Sequence, residues 1–190
     1  MEKHARLEEG KIILASAKFE LMIERLCHQL IEEFGDFRNT CLIGIQERGV
    51  LLADRLVEKL KGIQPSATPT YGKLDITFYR DDFRQKEKPL RASRTEMDFL
   101  VSDQKVILVD DVLYTGRTIQ AAMTALQDFG RPQSVTLLTL VDRRFQRHLP
   151  IHANIVGMVV DALDDAYVKV GWKHIDGQDQ ILLFAASTKK

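Results

Sequence analysis

Apolar side chains at Phe19, Met22, Ile23, Leu26, Cys27, Leu30, Ile31 and Phe34 recur at three- and four-residue intervals. That spacing predicts an amphipathic helix with Ser16 as its N-cap. Cys41 to Ile45 is a short apolar run that reads as a buried strand, followed by a turn at Gln46 to Gly49. Val50, Leu51, Ala53, Leu56, Val57 and Leu60 then form a second helical face. Leu74 to Tyr79 alternates apolar and polar positions as a half-buried strand does. Arg80 to Phe99 is polar and aperiodic, which predicts a long mobile loop of the kind that closes over active sites. Beyond it, Lys105 to Val109 reads as a buried strand. Gly116 to Phe129 reads as a helix turning Ile119, Ala122, Met123, Leu126 and Phe129 inward, and Val135 to Val141 as the next strand. Gly130, Arg131 and Pro132 end that helix.

Strands alternating with helices predict an α/β fold, a mostly parallel sheet covered on both faces. Ligands bind such sheets beyond the carboxyl ends of the strands, here the loops after Ile45, Val109 and Val141. The chain has 190 residues, enough for one domain with a sizeable core, and no internal repeat or low-complexity linker divides it. Its 45% hydrophobic and 28% charged content is that of an ordinary globular protein. No apolar stretch is long enough to span a bilayer, and the charged start MEKHARLEEGK lacks a secretory apolar core, so a cytoplasmic location and no membrane partner are expected. Cys27 and Cys41 fall on apolar runs and read as core residues. Lys+Arg and Asp+Glu are equal at 27 each, so any polyanion site must be local.

The candidate chemistry sits after Val109. Asp110 and Asp111 are adjacent carboxylates at a strand end, where ionised groups are costly without partners. The following turn, Leu113 to Thr118, carries Thr115, Gly116, Arg117 and Thr118 into a helix start, whose amides and hydroxyls can surround a phosphate. Carboxylates beside an anion-binding turn suit a phosphorylated sugar: hydroxyls donate to the acids and the phosphate takes the amides. Taken separately, the acids also fit a solvated strand end and the turn an ordinary capped helix. His148 and His152 flank Pro150 and do not read as a metal pair, and no Walker A or dinucleotide-binding glycine pattern occurs.

In this order, Val106 to Thr118, VILVDDVLYTGRT, resembles the phosphoribosyl-diphosphate motif of type I phosphoribosyltransferases. LIGIQERG, LDITFYRDD, GRPQS and LVDRR widen the likeness toward the branch of uracil phosphoribosyltransferases that also regulate pyrimidine genes by binding RNA. The likeness runs from about Ile12 to Gly157. It implies the type I fold: one domain over 1–190, with a small hood subdomain from segments near 1–18 and 143–190. By that resemblance Asp110 and Asp111 hold the ribose hydroxyls, and Val112, Leu113, Tyr114, Thr115, Gly116, Arg117 and Thr118 form the 5-phosphate loop. Gln46, Glu47, Arg48 and Gly49 form the diphosphate loop, with Arg48 its cation, and Arg80 sits in the flexible-loop position. Asp142, Arg143, Ile155 and Val156 lie near the base pocket. Mg²⁺ is the implied cofactor, held mostly by substrate and water, with Asp110 and Asp111 as candidate ligands.

The implied activity is transfer of the 5-phosphoribosyl group from phosphoribosyl diphosphate to uracil, giving UMP and diphosphate. A homodimer or larger homo-oligomer is implied as well. One alternative is a UMP-responsive regulator binding pyrimidine leader mRNA through Arg25, His28 and Arg147; another is a purine phosphoribosyltransferase. The sequence departs from the pattern in two places. The first helix carries Glu20, Glu24, Glu32 and Glu33, which repel phosphates and predict weak RNA affinity. Glu47 stands where relatives usually have threonine in the diphosphate loop.

Overall fold

The structure, a computed structural model, describes residues 10–81, 92–162 and 166–185. Five parallel strands, β2 (Thr40–Ile45), β3 (Thr70–Leu74), β4 (Lys105–Leu113), β5 (Ser134–Arg144) and β6 (Ile155–Asp161), form the main sheet in the order β3-β2-β4-β5-β6. Parallel pairing needs a crossover on a face of the sheet. Helices α1 (Ser16–Phe34) and α2 (Arg48–Ile63) cover one face and α3 (Arg117–Leu126) the other. Coverage on both faces explains why Leu42, Ile43, Ile107, Leu108 and Val109 are all fully buried with no alternation between them.

A second, antiparallel sheet in the order β1-β8-β7 joins β1 (Lys11–Leu14) to β7 (Tyr167–Gly171) and β8 (Gln180–Phe184), with the short helix α4 (Lys173–Asp176) between the last two. Residues from both ends of the chain thus build one small hood, while Ile155–Asp161 belongs to the main sheet. Part of its joint to the core is apolar: Trp172 is buried and meets the Phe19 ring edge-on at 5.4 Å, and Val168, Val170 and Ile181 enter the α1–α2 core.

Several sequence expectations change. Ser16 does not cap α1; Ala15 occupies that position and the Ser16 hydroxyl donates to the Asp179 carbonyl at 2.7 Å, tying the helix start to the hood. Leu74 to Tyr79 is not a strand. β3 ends at Leu74, and Thr77–Tyr79 is a turn of 3₁₀ helix because Asp75 Oδ1 accepts from both the Thr77 amide (2.9 Å) and its hydroxyl (2.6 Å). Met123 is exposed, and Ala121 and Ala125 take the inward positions on α3. The β4 strand runs four residues beyond Val109, so Asp110 and Asp111 lie inside it. Half of the long polar segment, 82–91, lies outside the described residues. The flanking part returns at Glu96, which bridges Lys73 of β3 through backbone bonds of 2.8 and 2.9 Å. No helix among the described residues is long and apolar enough to cross a membrane.

Candidate active site

β4 is central, and its carboxyl end carries the chemistry. Asp110 and Asp111 are only 7% and 8% exposed, so two acids share one poorly solvated strand end. Burial, then the neighbouring Asp111 charge, pushes the Asp110 carboxyl upward. Arg80 and the Asp111 amide, which donates to Asp110 Oδ1 at 2.9 Å, pull the other way. Burial also raises Asp111, opposed by Arg48, whose Nε donates to Asp111 Oδ2 at 3.1 Å.

After Leu113 the chain turns through Tyr114, Thr115 and Gly116 into α3. Gly116 has a φ of +91°, a left-handed conformation open to glycine, and a Cβ there would press on Ile151 and Leu149 at 3.3 and 3.4 Å. The turn wraps a cavity of about 590 Å³ lined by Arg80, Asp81, Asp110 and the run Val112 to Ile119. Asp81 and Asp110 bring acceptors to this cavity, and the turn at the start of α3 brings backbone amides and hydroxyls of the kind that bind anions. Asp81 pairs with Arg117 across its mouth; Asp82 lies outside the described residues.

The turn after β2 lies alongside. Gln46 donates its amide to the Leu74 carbonyl at 2.9 Å, the Gln46–Glu47 peptide is cis, and Glu47 is the exposed residue before α2. Gly49 allows this turn to abut β4: an added Cβ would lie 2.5 Å from the Val109 carbonyl oxygen and 3.1 Å from Asp110 Cα. Arg48 reaches from the turn to three groups, Asp111, the Val170 carbonyl and, at 3.4 Å, Asp176. Lys169 also meets Asp176 at 2.7 Å, so the core acid and the hood are joined through one guanidinium.

A second cavity of about 310 Å³ lies between Arg48, Asp111, Val112, Tyr114 and Arg143 on the core and Tyr167 to Val170 on the hood. Arg143 is buried and stacks its guanidinium 3.9 Å from the Tyr114 ring centroid. The structure brings Arg143 here and leaves its sequence neighbours elsewhere. Asp142 pairs with Arg147, Ile155 is buried in the core, and the Val156 carbonyl accepts from Arg25 at 3.3 Å. The hood wall carries no candidate from the sequence, although Tyr167 to Val170 alternates: Val168 and Val170 are buried, and Tyr167 and Lys169 are not. That period-two pattern was the available signal.

The residues proposed for RNA are also placed. Arg25 donates to the Val156 and Gly157 carbonyls and His28 is exposed, whereas Arg147 is largely covered, donating to the Tyr114 carbonyl and to Asp142. Among the described residues no group of three or more His, Cys, Asp or Glu gathers as a metal cage.

A family model for the phosphoribosyl transferase domain matches residues 9–171. The chain is 42% identical over 172 residues to the bifunctional protein PyrR of Deinococcus radiodurans, covering 90% of this chain and 93% of that one. It is 46% identical over 155 residues to the PyrR of Acetivibrio thermocellus (82% and 83% covered) and 39% identical over 181 residues to that of Bacillus subtilis (94% and 98%). Among solved structures, a hypoxanthine phosphoribosyltransferase from Staphylococcus aureus superposes with a TM-score of 0.68 at 16% identity, covering 100% of this chain and 99% of that one, a likeness of fold. The parallel sheet, the acid pair at the end of its central strand and the matched model agree: this chain belongs to the phosphoribosyl transferase domain family.

Proposed function

We propose that the protein transfers the 5-phosphoribosyl group of phosphoribosyl diphosphate to uracil, giving UMP and diphosphate. One observation carries this reading: the buried Asp110 lines one cavity together with the amide-rich turn, and the adjacent buried Asp111 lines the neighbouring cavity beside Arg48. The ribose hydroxyls donate to Asp110 and Asp111, while the backbone amides and hydroxyls of Thr115 to Thr118 take the 5-phosphate. Together they fix the sugar at both ends, so its anomeric carbon is held against the second cavity. There Tyr114 and Arg143 form one wall for a flat base.

The reaction breaks the bond from the anomeric carbon to a diphosphate oxygen and forms one to a ring nitrogen of the base, which gives up its proton. Negative charge grows on the departing oxygens, where fixed cations are most effective. Arg48 lines the second cavity beside Asp111, and Arg80 lines the sugar cavity beside Asp110. Diphosphate would draw Arg48 from Asp111 and Asp176, coupling its arrival to release of the hood contact. The buried oxygens of Asp110 and Asp111 fit a hard cation, and Mg²⁺ bound there with substrate and water would neutralise charge on the diphosphate.

The curated relatives are named bifunctional, which favours a second reading, UMP-responsive binding of pyrimidine leader RNA. Arg25 and His28 on α1 remain available to it, but Glu24, Glu32 and Glu33 share that helix. A cytoplasmic homo-oligomer fits either reading.

The test is to incubate the purified protein with Mg²⁺, phosphoribosyl diphosphate and a panel of uracil, hypoxanthine, guanine and adenine. UMP from uracil is the expected product. Nucleotide from a purine alone would move the assignment to that base, and no nucleotide from any base would overturn it.

A further inference from the structure

We infer that Arg147 is a positioning residue for the phosphate turn, an inference that rests on the sugar-phosphate reading above. Arg147 is 17% exposed and forks between two acceptors, the Tyr114 carbonyl and the Asp142 carboxylate. The next two residues continue the brace: the His148 and Leu149 amides donate to the Thr115 carbonyl at 3.1 and 3.2 Å. Leu149 and Ile151 close on Gly116 from the same side. None of Arg147, His148 or Leu149 lines the sugar cavity, so two successive carbonyls of the turn are captured by a segment behind it.

This capture sets the direction of the amides. The 114–115 and 115–116 peptides are trans, and in a trans peptide the N–H points opposite to the C=O. Drawing the Tyr114 and Thr115 oxygens back toward Arg147, His148 and Leu149 therefore turns the Thr115 and Gly116 N–H groups toward the cavity. An unheld turn could rotate either peptide and present an oxygen dipole to the phosphate, which would repel it. Asp142 neutralises the guanidinium, so Arg147 acts through geometry and its charge is already spent locally. Lysine cannot fill the role, since one ammonium lacks the planar fork that spans the two acceptors. The same covering places Arg147 in the turn's support and away from an RNA-facing surface.

Calorimetric titration with two probes tests this, ribose 5-phosphate for the turn and inorganic diphosphate for the Arg48 side, on the wild type, Arg147→Met and Arg147→Lys. Circular dichroism and melting establish that each variant is folded. Both variants are expected to bind ribose 5-phosphate about 10- to 100-fold more weakly, the range for one lost charge-assisted hydrogen bond, with diphosphate affinity within about twofold of wild type. In steady state the KM for phosphoribosyl diphosphate should rise by a similar factor while the KM for uracil stays near its wild-type value. Should Arg147→Met fail to fold, Arg147→Lys decides alone. Wild-type ribose 5-phosphate affinity in a folded variant would overturn the inference, as would recovery in the lysine variant, which would make the effect one of charge. Equal loss for both probes would reduce Arg147 to general stability. Failure of the wild type itself to bind ribose 5-phosphate would instead sink the sugar-phosphate reading beneath it.

Discussion

Asp110 illustrates how a single residue proposed to serve a site can cost stability. Its carboxyl is held above the ordinary carboxylate range by burial first and by the Asp111 charge second. A folded-state value above the unfolded one means the native protein binds the proton more tightly. Stability is therefore greatest below the unfolded value near ~4 and is lost as pH rises toward the folded one. Asp110→Asn removes the ionisation and keeps an oxygen to accept the Asp111 amide. Thermal melts of both proteins should nearly coincide at acid pH, with the variant about 2–4 °C higher at pH 8. A variant that melts lower across the whole range would mean that the acid is satisfied within the protein. At this scale the sequence marks Asp110, Asp111 and Thr115 to Thr118 as site candidates through their ionisable and turn-forming side chains, and the fold places them along two neighbouring cavities. The contact of Arg147 with the Tyr114 carbonyl has no signal in the sequence, because it depends on a turn more than thirty residues away in the chain.

At the level of elements, the site depends on how closely α2 approaches β4. Gly49 is the point of contact, with 2.5 Å from an added Cβ to the Val109 oxygen. Gly49→Ala should force the start of α2 away from β4, displace Arg48 and lower both Tm and catalytic efficiency. Gly62, near the far end of the same helix, has no atom within 4 Å of an added Cβ. Gly62→Ala should stabilise by about 0.5–1 kcal/mol with unchanged kinetics. Denaturant melts and assays of the pair separate close packing from helix propensity, and equal effects would contradict the packing claim. Helical period exposed α1 and α2 in the sequence, since their apolar stripes face one core. Leu74 to Tyr79 misled because local alternation cannot reveal that Asp75 captures the following backbone, and β7 was overlooked because its polar face masks a buried one.

For the molecule as a whole, charge balance sets what it attracts. Lys+Arg equals Asp+Glu, and Glu20, Glu24, Glu32 and Glu33 lie on α1, with Glu20 and Glu24 near Lys59. A gel shift on pyrimidine leader RNA at about 150 mM salt should show no UMP-enhanced complex. A UMP-dependent shift at that salt would restore the regulatory reading. The α/β layout was readable from alternating strand and helix periods, whereas the hood segments near 1–18 and 143–190 came from family resemblance alone, because pattern carries no information on partners as distant as β1 and β8. That hood closes the second cavity over Tyr114 and Arg143 and meets the core through Arg48. The most direct experiment is a crystal structure of the protein soaked with phosphoribosyl diphosphate and Mg²⁺. The sugar hydroxyls should lie within hydrogen-bond reach of Asp110 and Asp111 and the 5-phosphate on the amides of Thr115 to Thr118. Ligand bound elsewhere, or Asp111 remaining paired with Arg48 while the turn stays bare, would refute the assignment.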